Sequence, residues 1–187
     1  MTTFFFMILL LLLLMIGTFA VLSFVFVMDS IIRGHDIPTT KKAIETIDKI
    51  IREHKFKSGN FYDLGCGRGT LSLTIKRNNP RLYVYGVDFS TVRIFFANVK
   101  ALLMGRKINF LKKDILHLNL ADADIVFTYL WYDVMPPLEL KLRKELKKGA
   151  VVITNTSNFP NWKPVKIYDI YPEKKDFEKL LVYVKDL

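Results

Sequence analysis

The 187-residue sequence predicts an α/β fold: a seven-stranded, mostly parallel sheet with helices on both faces, preceded by one membrane-spanning helix. Three observations predict it. An uncharged apolar run fills residues 4–27, and strand-like and helix-like segments alternate from residue 39 onward. The first of those strands then runs into a helix through three glycines at alternate positions, Gly65, Gly67 and Gly69.

The apolar run comes first. Only Gly17, Thr18 and Ser23 soften it. As a helix it extends roughly 36 Å at about 1.5 Å per residue, enough to cross the ~30 Å hydrocarbon core with some tilt. A cleaved signal peptide wants a basic start, a shorter apolar segment and small residues at the cleavage site. Here Thr2 and Thr3 precede the run and Val25-Phe26-Val27 close it, which favours an uncleaved anchor. No Lys or Arg precedes the span, whereas Arg33, Lys41 and Lys42 follow it. The positive-inside rule then places the C-terminal portion on the cytoplasmic side. The expected layout is an anchor at residues 1–28, a short polar connector at 29–38, and one domain at 39–187, long enough for a single core.

All the charge lies after the apolar run and nets to +10. Beside an anionic leaflet each basic residue near the surface adds about 1 kcal/mol. No interleaved aromatic and basic motif points to nucleic acid, so the expected partner is the bilayer rather than a nucleic acid. Cys66 is the single cysteine and forms no internal disulfide; His35, His54 and His117 are scattered, and no metal site is expected.

Within the domain, Thr39 or Thr40 can cap a helix whose apolar positions Ala43, Ile44, Ile47, Ile50 and Ile51 recur at helical spacing, ending near Ser58-Gly59. Strands are expected at 60–64, 82–87, 108–112, 124–130 and 150–154, with helices at 70–77, 91–103 and 137–146. Units of this length argue a parallel sheet. After residue 154 come an irregular segment, 155–164, and two strand-like runs, 165–171 and 180–185, read as a closing pair with at least one antiparallel strand.

The chemistry resides in Asp63-Leu64-Gly65-Cys66-Gly67-Arg68-Gly69. Alternate glycines let the backbone turn tightly and approach a ligand, and the helix that follows presents its first N–H groups. A dinucleotide fingerprint spaces its glycines as G-x-G-x-x-G and puts a pyrophosphate there. The G-x-G-x-G spacing found here follows a carboxylate, Asp63, which repels a pyrophosphate and suits the ammonium of an amino-acid ligand. Asp88, at the end of the second strand, can accept from two ribose hydroxyls. It could equally cap the next helix. Asp114, beyond the third strand, can accept from an adenine amino group with Ile115 against the ring, or serve as an ordinary turn aspartate.

This signature, with Asp88 and Asp114 at successive strand ends, resembles the class I S-adenosylmethionine-dependent methyltransferases, whose sheet is Rossmann-like. The resemblance covers residues 39–187 and implies S-adenosyl-L-methionine as cofactor. The apolar N-terminus, Ile37-Pro38-Thr39-Thr40 and the run Asn158-Phe159-Pro160-Asn161-Trp162-Lys163-Pro164 are similar to a group of small membrane-anchored protein-lysine methyltransferases. Eukaryotic members of that group act on the ATP synthase c subunit and the adenine nucleotide carrier. That likeness implies that Thr39 or Thr40 borders the cofactor, that Phe159 to Trp162 wall the acceptor channel, and that the substrate is a membrane protein. Where many amino-methylating relatives carry Asn/Asp-Pro-Pro-Tyr/Phe, this chain has Thr128-Tyr129-Leu130-Trp131-Tyr132, which argues against adenine or glutamine as acceptor.

Methyl transfer from a sulfonium needs alignment and desolvation more than acid–base help. A lysine must arrive deprotonated, which burial among aromatic rings favours. Tyr129, Trp131, Tyr132, Phe159 and Trp162 are candidates for such a channel, with Tyr129 and Trp162 foremost, although each could simply pack the core. The competing expectations are a methyltransferase of a quinone or lipid-like small molecule, and a cofactor-binding scaffold without catalysis. The acids Asp63, Asp88 and Asp114 together disfavour the scaffold.

Overall fold

The computed structural model describes residues 2–33, 37–174 and 177–186. The chain divides into two units, residues 1–36 and 37–187.

The first unit is one helix, α1 (Thr2–Arg33), of which Thr3–Ile31 is long and apolar enough to cross a membrane. It runs beyond the apolar stretch into the first residues of the expected connector, since nothing between 28 and 33 breaks a helix; residues 34–36 of that connector lie outside the described residues.

The second unit opens with α2 (Lys41–Glu53), capped by Thr40, whose Oγ1 accepts from the Ala43 N–H at 3.2 Å. The helix stops short of the expected end because Lys55 adopts a left-handed φ of 57°. Then follow β1 (Gly59–Leu64), α3 (Thr70–Asn78), β2 (Leu82–Asp88), α4 (Thr91–Leu103), β3 (Asn109–Lys112), β4 (Ile125–Thr128), α5 (Met135–Glu145), β5 (Val151–Asn155), β6 (Lys166–Asp169) and β7 (Lys179–Val184). They form one seven-stranded sheet in the order β3-β2-β1-β4-β5-β7-β6. β1 to β5 pair in parallel, and β7 is antiparallel to both β5 and β6. The order reverses at β1, so β1 and β4 diverge at the topological switch point where such sheets bind ligands.

β4 and β5 are buried along their whole length, which is why they read as continuous apolar runs. β4 is shorter than the 124–130 run, because its neighbour β1 ends at Leu64, directly opposite Thr128. α5 starts two residues early: Pro136 and Pro137 occupy its first turn, where a missing N–H costs nothing.

Two core clusters lie on opposite faces of the sheet. The first joins α2 and α3 to Phe61, Phe127 and Ile153. The second joins α5 to Leu64, Val126 and Val152. Apart from α5, the second face is closed by loop residues: Leu118 and Leu120 before β4, and Phe159 and Trp162 after β5.

Beside the glycine turn, the Phe110 ring fills the hollow that two glycines leave. A methyl group at Gly86 would stand 2.5 Å from that ring, and one at Gly69 equally close. Gly86→Ala is therefore expected to lower stability by about 1–3 kcal/mol through overpacking. Thermal unfolding of the single variant and of Gly86→Ala/Phe110→Leu checks this, and the smaller side chain should recover part of the loss.

Candidate active site

At the end of β1 the chain turns through Gly65, Gly67 and Gly69 with φ of 79°, 53° and 72°, all in the left-handed region. L side chains with a Cβ adopt that region at a cost, so the spacing read from the sequence reflects backbone need. The Gly65 and Cys66 N–H groups both donate to the Val87 carbonyl, at 2.8 and 3.0 Å, which ties the turn to the end of β2. Gly69 caps α3 without any side-chain bond, so the start of α3 is not closed off by its own cap.

Asp88 is 3% exposed. Its Oδ2 accepts from the Gly67 N–H at 3.0 Å and its Oδ1 from the Ser90 N–H at 2.8 Å. The residue therefore sits at the glycine turn and also shapes the approach to α4, whose N-cap is Ser90. The cap of α4 is thus Ser90 rather than Asp88, whose carboxylate holds the Ser90 N–H. Asp63 is buried on the α3 side of β1 and accepts from Ser72 Oγ at 2.6 Å. No sequence signal marked Ser72; it is the third residue of α3, on the face turned to the sheet.

Asp114 lies two residues beyond β3 and is exposed. Its Oδ1 accepts from the Leu116 N–H at 2.9 Å and its Oδ2 pairs with His117 Nδ1 at 2.8 Å. The Leu116 N–H first, and then the histidine, hold its carboxyl below the usual range. Here the residue fastens its own turn. Ile115 is half-buried against the second core cluster.

The two foremost aromatic candidates are not brought together. Tyr129, just past β4, packs against the first core cluster. Trp162 is buried in the second, with its ring 5.7 Å from that of Phe159 and 5.4 Å from that of Tyr183. With the sheet between the clusters, Trp162 packs a core in this structure and Tyr129 alone of the pair stands at the strand ends.

Sequence reasoning missed the group around Tyr129. Glu178, buried just before β7, accepts from Thr40 Oγ1 at 2.7 Å and from Asn155 Nδ2 at 2.8 Å. Asn155 Oδ1 in turn accepts from Thr156 Oγ1 at 3.0 Å. Thr156 has a φ of 66°, uncommon for a β-branched residue and the kind of strain that surrounding structure must hold in place. Burial pushes the Tyr129 hydroxyl up, Glu178's charge adds to the shift, and a hydrogen bond with Thr156 opposes it. A neighbour links this cluster to the glycine turn. A methyl group at Gly65 would meet the Leu130 side chain at 2.6 Å, and the Leu130 carbonyl accepts from Ser157 Oγ at 2.7 Å. The signal available in sequence was slight: Glu178 is the last of three carboxylates, after Glu173 and Asp176, before the apolar run of the last strand.

The residues present fit S-adenosylmethionine. The left-handed glycines let the backbone come close to a ligand, and Asp63 and Asp88 are buried carboxylates suited to its ammonium and its ribose. Thr128 Oγ1, buried beside the end of β1, has no hydrogen-bond partner among the described residues.

This site and this sheet define an S-adenosylmethionine-dependent methyltransferase, with S-adenosylmethionine as its cofactor. The chain belongs to the ANTKMT methyltransferase domain family, whose model matches residues 63–166. It is similar to a protein-lysine N-methyltransferase of Saccharolobus islandicus, with 25% identity over 72% of this chain and 83% of that one. It is also similar to the lysine N-methyltransferase of the ATP synthase c subunit from Mus musculus, 27% identical over 68% of this chain, and it spans 51% of that protein's length. Among solved structures, an RNA methyltransferase from Salinibacter ruber in complex with S-adenosyl-L-homocysteine shares the fold. Its TM-score is 0.71 at 19% identity, covering 80% of this chain and 94% of that one.

When bound, the cofactor supplies a methyl group already activated on sulfur. The protein's own residues would bind and align it: Asp63 would take the ammonium and Asp88 the ribose, and the Leu130 side chain lies against Gly65 of the turn.

Proposed function

We propose that this chain is a membrane-anchored methyltransferase whose acceptor is a lysine side chain of a membrane protein. One observation carries the reading: the catalytic unit is joined to what precedes it at its site. Thr40, the cap of its first helix, is bonded to Glu178 beside Tyr129, at the carboxyl edge of the sheet. α1 precedes that junction, and its span Thr3–Ile31, in which Asp29 is the one charged residue, is long and apolar enough to cross a membrane, which supports a tethered site. The basic residues Arg33, Lys41 and Lys42 after the span support a cytoplasmic site. Two relatives that act on lysine, by their names, support the acceptor class.

A lysine reacts only as the free amine. The Tyr129 hydroxyl, kept neutral by burial and by the charge of Glu178, can accept from that amine and turn its lone pair toward the methyl group. Asp63, Asp88, Asp114 and Ile115, with the three glycines and Thr40, are the proposed cofactor side.

The test is transfer of labelled methyl from S-adenosylmethionine to membranes carrying the full chain, followed by separation of protein from lipid extract. Label is expected in protein, released on hydrolysis as methyllysine. Label in the organic phase alone would overturn the reading in favour of a quinone or lipid-like acceptor.

A further inference from the structure

The carboxyl edge of the sheet carries large side chains that the core does not absorb. Phe89 follows β2, Trp131 and Tyr132 follow β4, and Phe177 precedes β7, and these are 53%, 64%, 60% and 56% exposed. All four stand where the chain leaves or joins the strands at the site end. Soluble surfaces rarely gather several aromatic rings at one edge without something to cover them. Ile37, the first described residue of this unit, is also half exposed just before α2.

Basic groups are interleaved with these rings. Lys42 Nζ lies 4.5 Å from the centre of the Tyr171 ring, which meets Phe177 edge-on at 5.4 Å. Lys174 Nζ lies 5.2 Å from the Phe177 ring. Lys112 and Lys113 are exposed at the end of β3. Among the described residues, the exposed acids of this edge are Asp114, Asp133, Glu173 and Asp169, the last paired with Lys179, and the chain as a whole carries +10. Aromatic rings with lysines reaching past them suit the boundary between headgroups and acyl chains, where a ring finds apolar contact below and water above.

We infer that the rim formed by Phe89, Trp131, Tyr132 and Phe177 docks on an anionic lipid bilayer, so that the pocket opens into the headgroup layer. The inference rests on the membrane-anchored reading and adds to it. An anchor alone holds the unit near the membrane, whereas the rim fixes which edge touches it. The acceptor is then taken at the bilayer surface rather than from solution.

The chain supplies its own probe. It has two tryptophans, of which Trp131 is exposed on the rim and Trp162 is buried in the second core cluster, and α1 has none. The full chain is reconstituted in vesicles of brominated phosphatidylcholine and phosphatidylglycerol, and its emission is compared with that in the unbrominated lipids. A ring set about 5–10 Å into the interface lies within reach of the bromines, so Trp131 should lose about half its emission. The loss should shrink when the anionic lipid is omitted and vanish in Trp131→Phe. Flotation of the same vesicles reports the anchor separately. A chain that floats with undiminished Trp131 emission overturns the docking and leaves the anchor standing, as does quenching that persists in Trp131→Phe. A chain that does not float overturns both.

Discussion

Asp88→Ala is expected to weaken S-adenosylmethionine binding by roughly 1.5–3 kcal/mol, about ten- to one-hundred-and-fifty-fold in Kd. Two losses combine. The ribose loses its charged acceptor, and the Gly67 N–H loses the Oδ2 that holds it at 3.0 Å. The second loosens the turn only at Gly67, because Gly65 and Cys66 remain tied to the Val87 carbonyl. Asp88→Asn separates the contributions: its one remaining acceptor oxygen can serve either Gly67 or Ser90, so an intermediate loss is expected. Calorimetry with S-adenosylhomocysteine, beside thermal unfolding of the same samples, measures both. Unchanged affinity in the alanine variant would remove Asp88 from the site.

Glu178→Gln should reduce kcat by roughly a hundredfold while changing cofactor affinity little. The change is nearly isosteric, but its hydrogen-bond logic is not. An amide can still accept from Thr40, yet its NH2 then faces the NH2 of Asn155, donor against donor. Unless the new amide turns instead, Asn155 turns over and presents its own NH2 to Thr156, whose side chain acts on the Tyr129 hydroxyl. The disturbance therefore reaches the Tyr129 hydroxyl, the group proposed to receive the amine. Losing the carboxylate charge also lowers the Tyr129 pKa, because a nearby negative charge is what disfavours tyrosinate. The alkaline fall of kcat should accordingly begin at lower pH in the variant. Glu178→Asp should restore part of the rate, and an unaltered pH profile would confine Glu178 to packing.

The glycine turn was legible because it depends on local backbone geometry: three left-handed positions in five residues leave glycine at each. The strands were legible for a similar reason, since β4 and β5, buried on both faces, are apolar until their last residues, Thr128 and Thr154-Asn155. The cluster around Glu178 was not, because its bond to Thr40 joins residues 138 positions apart and no local pattern encodes it. Tyr129 and Trp162 show a further limit. Each follows the end of a strand, where the alternation that assigns a side chain to one face has stopped. The sequence marked both as aromatic near the site, and only the fold separates them by the thickness of a sheet.

The second face of the sheet imposes a rule on engineering this chain. Where a larger domain lays helices, residues 156–164 span the gap as loop, and Phe159 and Trp162 plug directly into the core beside Tyr183. Loops are usually the safe place to lengthen a protein or to graft a tag. This one is structural masonry, and a graft there would pull out two core rings at once. The loop at 131–134, whose Trp131 and Tyr132 are exposed, seats no ring in the core, so a change there leaves the packing of the second face intact.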